Sequence, residues 1–408
     1  MEIRTRSRFV AAGILFIAIT AIVALKLSAS PGRTAKAAQQ DPLAENRLAV
    51  HEWGTFTSIA GKNGVALEWR PLNDASDLPQ FVHSIARRDD GSRHLLGKSD
   101  MRTLIRMETP VVYFYSDKEM EVSVKVDFPQ GKITEWYPHV RDVNPGINWG
   151  RISVMPGATL PLPVDNKDSH YYPARETDAA VVRVCGTNGV EPQQEKFLFY
   201  RGVGNFALPL SARLDGKGLV LKNTGQYPIS HLIVFENRGG HIGYRRYDAF
   251  SGELWQDRPA LDQDLNSLLQ ELRQILVASG LYEKEAAAMI KTWRDSWFEP
   301  GLRIFYVLPR QTTDEVLPLT IEPRPGELVR VLVGRAEVIT PEMERSVQTQ
   351  VSLLGHPSVA VRQVAMQTIR NYGRFSEPIL NTILESERDG VIRKRLKQLI
   401  AARAPQSE

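Results

Sequence analysis

At 408 residues the chain is longer than one ordinary core accommodates, and a prior of about 150 residues per domain points to two or three units. The 51 Lys and Arg against 47 Asp and Glu leave a net charge of +4, part of it in Arg4, Arg6 and Arg8; with no long basic block elsewhere, nucleic acid is excluded as a partner. A sole cysteine, Cys185, excludes an intrachain disulfide, so stability has to come from core size.

The start, MEIRTRSRFVAAGILFIAITAIVALKLSAS, is a basic stretch followed by an uncharged run from Phe9 to Leu25. Such a run is long for a cleaved signal and close to the lower limit of a spanning helix. Residues 1–28 are read as an uncleaved signal anchor, basic end inside and body outside, and 29–46 as a linker. This predicts a single N-terminal pass through a bacterial inner membrane, with the body periplasmic or extracellular. Secretion after cleavage is the alternative, although the Ala35-Lys36-Ala37 site lies far beyond the apolar run.

From 47 to 257 short runs of β-branched and aromatic residues are broken by Gly, Pro, Asn and Asp, the punctuation of an all-β region. Three strands are predicted at Val111 to Tyr115, Glu119 to Phe128 and Lys132 to Tyr137. Val122, Val124, Val126 and Phe128 alternate with Glu121, Ser123, Lys125 and Asp127, which makes one face dry and the other wet. The spacing predicts a β-sandwich of immunoglobulin-like or jelly-roll kind. Cys185 closes the strand-like AAVVRVC and is expected to be a half-buried, inert thiol.

Between 258 and 339 the pattern turns helical and then returns to strand. Leu261, Leu265, Leu268, Leu269, Leu272, Ile275 and Leu276 recur at spacings of three and four, and Gly280 ends the helix. A second helix from Glu283 to Phe298 completes a hairpin expected to cover a sheet. Strands follow in LRIFYVLP, VLPLTIEP and LVRVLVGRAEVI.

The last segment, 340–404, opens on Thr340 as N-cap with Pro341 in the first turn. VRQVAMQTI, Val361 to Ile369, aligns with IRKRLKQLI, Ile392 to Ile400, and SEPILNTILES supplies a helix between them. These pairs resemble HEAT-type repeats, and the resemblance implies a protein partner. Two pairs are fewer than a free-standing solenoid needs, so the array is expected to lean on the preceding domain.

The motifs with chemical promise are few. HEWGT lacks the second histidine of H-E-x-x-H, and as a strand it sends His51, Trp53 and Thr55 one way and Glu52, Gly54 and Phe56 the other. TEWYPHV adds Glu135, Tyr137 and His139, and SHYYPARE adds His170, Tyr171, Arg175 and Glu176, both at loop ends where binding residues gather. Two of His51, His139 and His170 with Glu52 or Glu135 have ligand types that suit a divalent metal. Glu52 and Glu135 could serve as acid and base of a glycan or ester hydrolase, and Tyr137, Tyr171, Arg175 and Glu176 are candidate binding residues. The competing reading is structural: buried Trp and Tyr with polar tips met by neighbouring ions. Arg201 is expected to pair with a carboxylate such as Glu195 rather than to bind a substrate.

The strings VHEWGTFTS, METPVVYFYS and TEWYP resemble an uncharacterised family of exported bacterial proteins. That resemblance covers most of Leu48 to Glu342 and implies no activity. The sequence therefore predicts a mixed, β-rich protein of the cell envelope that acts by binding or scaffolding, with an envelope hydrolase using His51, Glu52, Glu135 and His170 as the alternative.

Overall fold

A computed structural model describes residues 48–72, 78–85, 101–165, 168–186 and 191–401. The predicted signal anchor lies outside them. Among the described residues no helix is long and apolar enough to cross a membrane.

The fold is mixed and β-rich. In chain order it begins with β1 (Ala49–Ala60), β2 (His83–Ser84), β3 (Ile105–Tyr115), β4 (Met120–Val126), β5 (Gly131–Tyr137) and β6 (Ile147–Met155). Next come β7 (Val181–Val184), β8 (Gln193–Glu195), β9 (Leu198–Gly204), β10 (Leu210–Asp215), β11 (Gly218–Asn223), β12 (Ile229–Arg238), β13 (His241–Phe250) and β14 (Glu253–Asp257). The hairpin α1 (Leu265–Ala278) and α2 (Glu283–Trp297) precedes β15 (Gly301–Val307), α3 (Arg310–Val316), β16 (Leu319–Glu322) and β17 (Glu327–Val338). The chain closes with α4 (Pro341–Leu353), α5 (Val359–Asn371), α6 (Glu377–Ser386) and α7 (Gly390–Ala401).

Nine strands form one sheet in the order β13-β12-β15-β17-β1-β3-β9-β5-β2, so the HEWGT strand sits at its centre. It runs parallel to β17 and antiparallel to β3. A five-stranded sheet (β16-β4-β6-β7-β8) and a three-stranded sheet (β10-β11-β14) complete the β structure. One face of the large sheet, with Val50, Phe56, Met107 and Leu332, shares a core with Val122, Val124 and Val126 of β4 and Leu219 and Leu221 of β11. The opposite face, with Trp53, Tyr113, Phe199 and Val331, is covered by Leu268, Leu272 and Leu276 of α1 and Met289, Trp293 and Trp297 of α2. The period-2 alternation of the strands is what divides the two cores.

Several expectations change in detail. The helix begins at Leu265 rather than Leu261, because the Asp264 carboxylate accepts from the backbone N–H of Asn266 and Ser267 and caps it there. The segment 258–339 is not separable from the strands before it: β15 and β17 lie inside the large sheet, and β16 pairs with β4. Cys185 falls just past the end of β7 and is exposed, not half-buried.

The C-terminal helices pack on the β body. Ile59 of β1, Trp69 and Ile339 share a third core with Val347, Val351, Ala365, Ile369, Leu380 and Leu396. Arg70 adds a buried ion pair to Glu377 at 2.7 Å and donates to the carbonyl of Ile400 at 2.9 Å.

Candidate functional site

The two polar residues of HEWGT serve different cores. His51 is enclosed on the helix side, where its Nδ1 lies 2.8 Å from Glu285 Oε2 and its Nε2 3.4 Å from Glu327 Oε1. Glu285 also accepts from the Tyr115 hydroxyl at 2.8 Å and from the backbone N–H of Tyr282 at 2.7 Å, which closes the first turn of α2. Burial, and then the Glu285 charge, push the Tyr115 hydroxyl far above its usual range, so it stays a donor. The cluster fixes the helical hairpin to the central strand. Gly54 lets the neighbouring strands close in, since a Cβ there would meet Leu332 Cδ1 at 2.9 Å and Pro110 Cα at 3.0 Å.

Glu52 points into the sheet-on-sheet core. Its carboxylate accepts from Arg330 Nε at 2.5 Å and from the Tyr200 hydroxyl. Arg330 Nη1 reaches Asp314 Oδ1 at 2.8 Å, and Arg310 Nε donates to the other oxygen of Asp314 at 2.7 Å. A chain of charge thus runs from the interior to the surface through Glu52, Arg330, Asp314 and Arg310. Burial opposes the Arg330 charge, but Glu52 and Tyr200 outweigh it and hold the guanidinium above its ordinary value. Arg330 Nη2 has no hydrogen-bond partner among the described residues. The surface end opens into a cavity of about 340 Å³, whose lining includes Ser230, His231, Ser279, Arg310, Gln311 and Arg330.

The remaining candidates fall elsewhere. Glu135 lies on the helix-side face of β5, opposite Arg201 in register, and accepts from Thr134 Oγ1 at 2.5 Å. Three strand spacings separate it from β1, roughly 14 Å, and Glu52 faces the other way, so the two carboxylates cannot share a substrate bond. His170 is 3.8 Å from the exposed Asp295, while His139 lies beside His83 with ring centroids 4.8 Å apart. The expected constellation of His51, Glu52, Glu135 and His170 is therefore not assembled. His51, His139 and His170 do not form a ligand set either, and no group of three or more His, Cys, Asp or Glu among the described residues is placed to share a metal.

Three of the four candidate binding residues do converge. Arg175 takes both oxygens of the buried Glu195 and lies over the rings of Tyr172, Tyr171 and Phe81 at 4.9, 5.6 and 5.9 Å. The Tyr171 hydroxyl donates to Glu195 at 3.0 Å, and the Tyr137 ring packs 4.9 Å from Phe81. Glu176 is outside the cluster, on the surface with Lys291. Glu195, the example named for Arg201, is taken by Arg175, which the turn Tyr172–Arg175 brings over β8, while Arg201 stands opposite Glu135 in register. Burial pushes Glu195 up and Arg175 opposes it. The filled contacts of this group are those of a packed aromatic core with a neutralised ion pair.

Sequence reasoning missed Arg330, Tyr200, Glu285 and His83. Arg330 had a signal: a strand as apolar as LVRVLVGRAEVI carries Arg330, Arg335 and Glu337 only if each ion finds a counter-charge inside. Glu285 had less, since Tyr282 stands where a capping box carries Ser or Thr. Compared with protein-family models and with curated proteins, the chain matches none.

Proposed function

We propose that the chain is a membrane-anchored, extracytoplasmic protein of the cell envelope that acts by binding or scaffolding. The observation that carries this reading is on the C-terminal helices, where Val359 and Val364 of α5 and Val391 of α7 are 57%, 65% and 54% exposed, positions that we read as contacts for a protein partner. We read α4–α7 as two HEAT-type pairs, and the stacked sheets as a sandwich whose parallel β1–β17 pair departs from the antiparallel immunoglobulin-like and jelly-roll patterns. The uncharged run from Phe9 to Leu25 supports the anchor. The strings around HEWGTFT support membership of the exported bacterial family that they resemble.

Hydrolysis loses its support with its constellation dispersed, since Glu52 is tied to Arg330 in the core. Isosteric variants test the choice. Glu52→Gln is expected to lower the melting temperature without loss of a bound metal or of turnover. If Glu52→Gln and Glu135→Gln both melt like the parent but lose a metal or an activity, the binding reading is wrong.

A further inference from the structure

We propose that the cavity at the ends of β12, β15 and β17 takes a small carboxylate carried on a short apolar body, met by the exposed guanidinium of Arg310 and seated on the apolar wall beside it. This rests on the reading that the protein acts by binding, and it names a ligand class and a second place where binding occurs. The cavity exists because β12 pairs with β15 only from Leu232 onward, while Ser230 and His231 continue past the end of that ladder and the chain after Val307 turns away into α3. Its volume, about 340 Å³, suits a compact molecule.

The lining has two characters. Pro228, Val307, Leu308 and Val331 offer an apolar wall, and Ser230, Ser279 and Gln311 add polar groups. Asp314 accepts from both arginines, one oxygen to each, Glu52 accepts from Arg330 Nε, and Arg310 Nη1 donates to the Leu328 carbonyl at 2.9 Å, which leaves Arg310 Nη2 as the outward donor for a ligand. Arg330 also carries an enclosed Nη2 without a partner among the described residues. Arg310 is 39% exposed at the side chain, so its outward donor can meet a carboxylate oxygen directly in a charge-assisted hydrogen bond. Arg330 is enclosed and its charge is balanced by Glu52 and Asp314, so its part is to hold Asp314 and the cavity wall in place. Glu52 is then a positioning residue, holding Arg330 in place from the core.

The test is calorimetric titration of the full chain with hexanoate, with hexanol as the uncharged probe of the same body. The expected result is saturable binding of hexanoate and none of hexanol. Arg310→Gln should weaken hexanoate by about tenfold. Ser230→Trp, a change at an exposed lining position, should abolish it at an unchanged melting temperature. Equal binding of both probes, no binding of either, or an Arg310→Gln or Ser230→Trp protein that binds like the parent overturns the proposal. Capture of a protein partner by the C-terminal helices is a separate readout, and its survival in any of these cases would leave the broader binding reading standing.

Discussion

Glu52 and Arg330 are both enclosed, so each is tolerated as an ion only in the presence of the other. Removing one charge of such a pair costs about 3 to 5 kcal/mol, and Glu52→Gln is expected near the lower figure because Asp314 still holds one arm of Arg330. Adding Arg330→Met to Glu52→Gln should restore most of that loss, and chemical denaturation of the two singles and the double measures the coupling. Asp264 illustrates a surface charge with a local role. The Ser267 backbone N–H, helped by Asn266, holds its carboxyl below the ordinary aspartate value. A depressed folded value means that its contribution is present above the unfolded pKa of ~3.9 and lost as pH falls through the folded one. An NMR titration should place its midpoint below that of an unfolded aspartate, and a midpoint at or above it would show that Asp264 does not cap the helix as an ion. Strand parity made the separation of His51 and Glu52 legible in the sequence. Their counter-charges were not, since Glu285 and Arg330 lie 234 and 278 positions away.

The C-terminal helices are an element that depends on its neighbour. Ile59, Trp69 and Ile339 of the body are part of their core, and Arg70 ties Glu377 and the end of α7 to the same surface. Taken alone, the helices would lose the cover that Ile59, Trp69 and Ile339 give their core, and each Val, Leu or Ile side chain is worth about 1.5 to 3 kcal/mol when fully buried. A fragment from Thr340 to Glu408 is expected to unfold without a cooperative transition in circular dichroism; a sharp melt would show that docking is dispensable. Helix periodicity, the Thr340 cap and the repeat of Val361 to Ile369 were readable because they are local: Thr340 Oγ1 accepts from Met343 N at 3.2 Å as the cap rule requires. The return of β17 beside β1 was not readable, because a parallel pair joined through some 270 intervening residues leaves no local pattern.

At the scale of the whole molecule, the large sheet separates two kinds of work. One face and its stacked sheets enclose the Glu52 and Arg330 pair and end at the cavity beside α3; the other carries the α1–α2 hairpin, held by Glu285 and His51. The C-terminal helices, fixed through Trp69 and Arg70, present their exposed valines to solvent. Whether these helices bind a protein is read by cross-linked capture by the full chain from native membranes, compared between the parent and a Val364→Glu, Val391→Glu variant. Both substitutions are at exposed positions and should leave the melting temperature within about 1 kcal/mol equivalent of the parent. One protein is expected to be captured in stoichiometric amount by the parent and lost from the variant. The same proteins captured equally by both, or none by the parent, would contradict it.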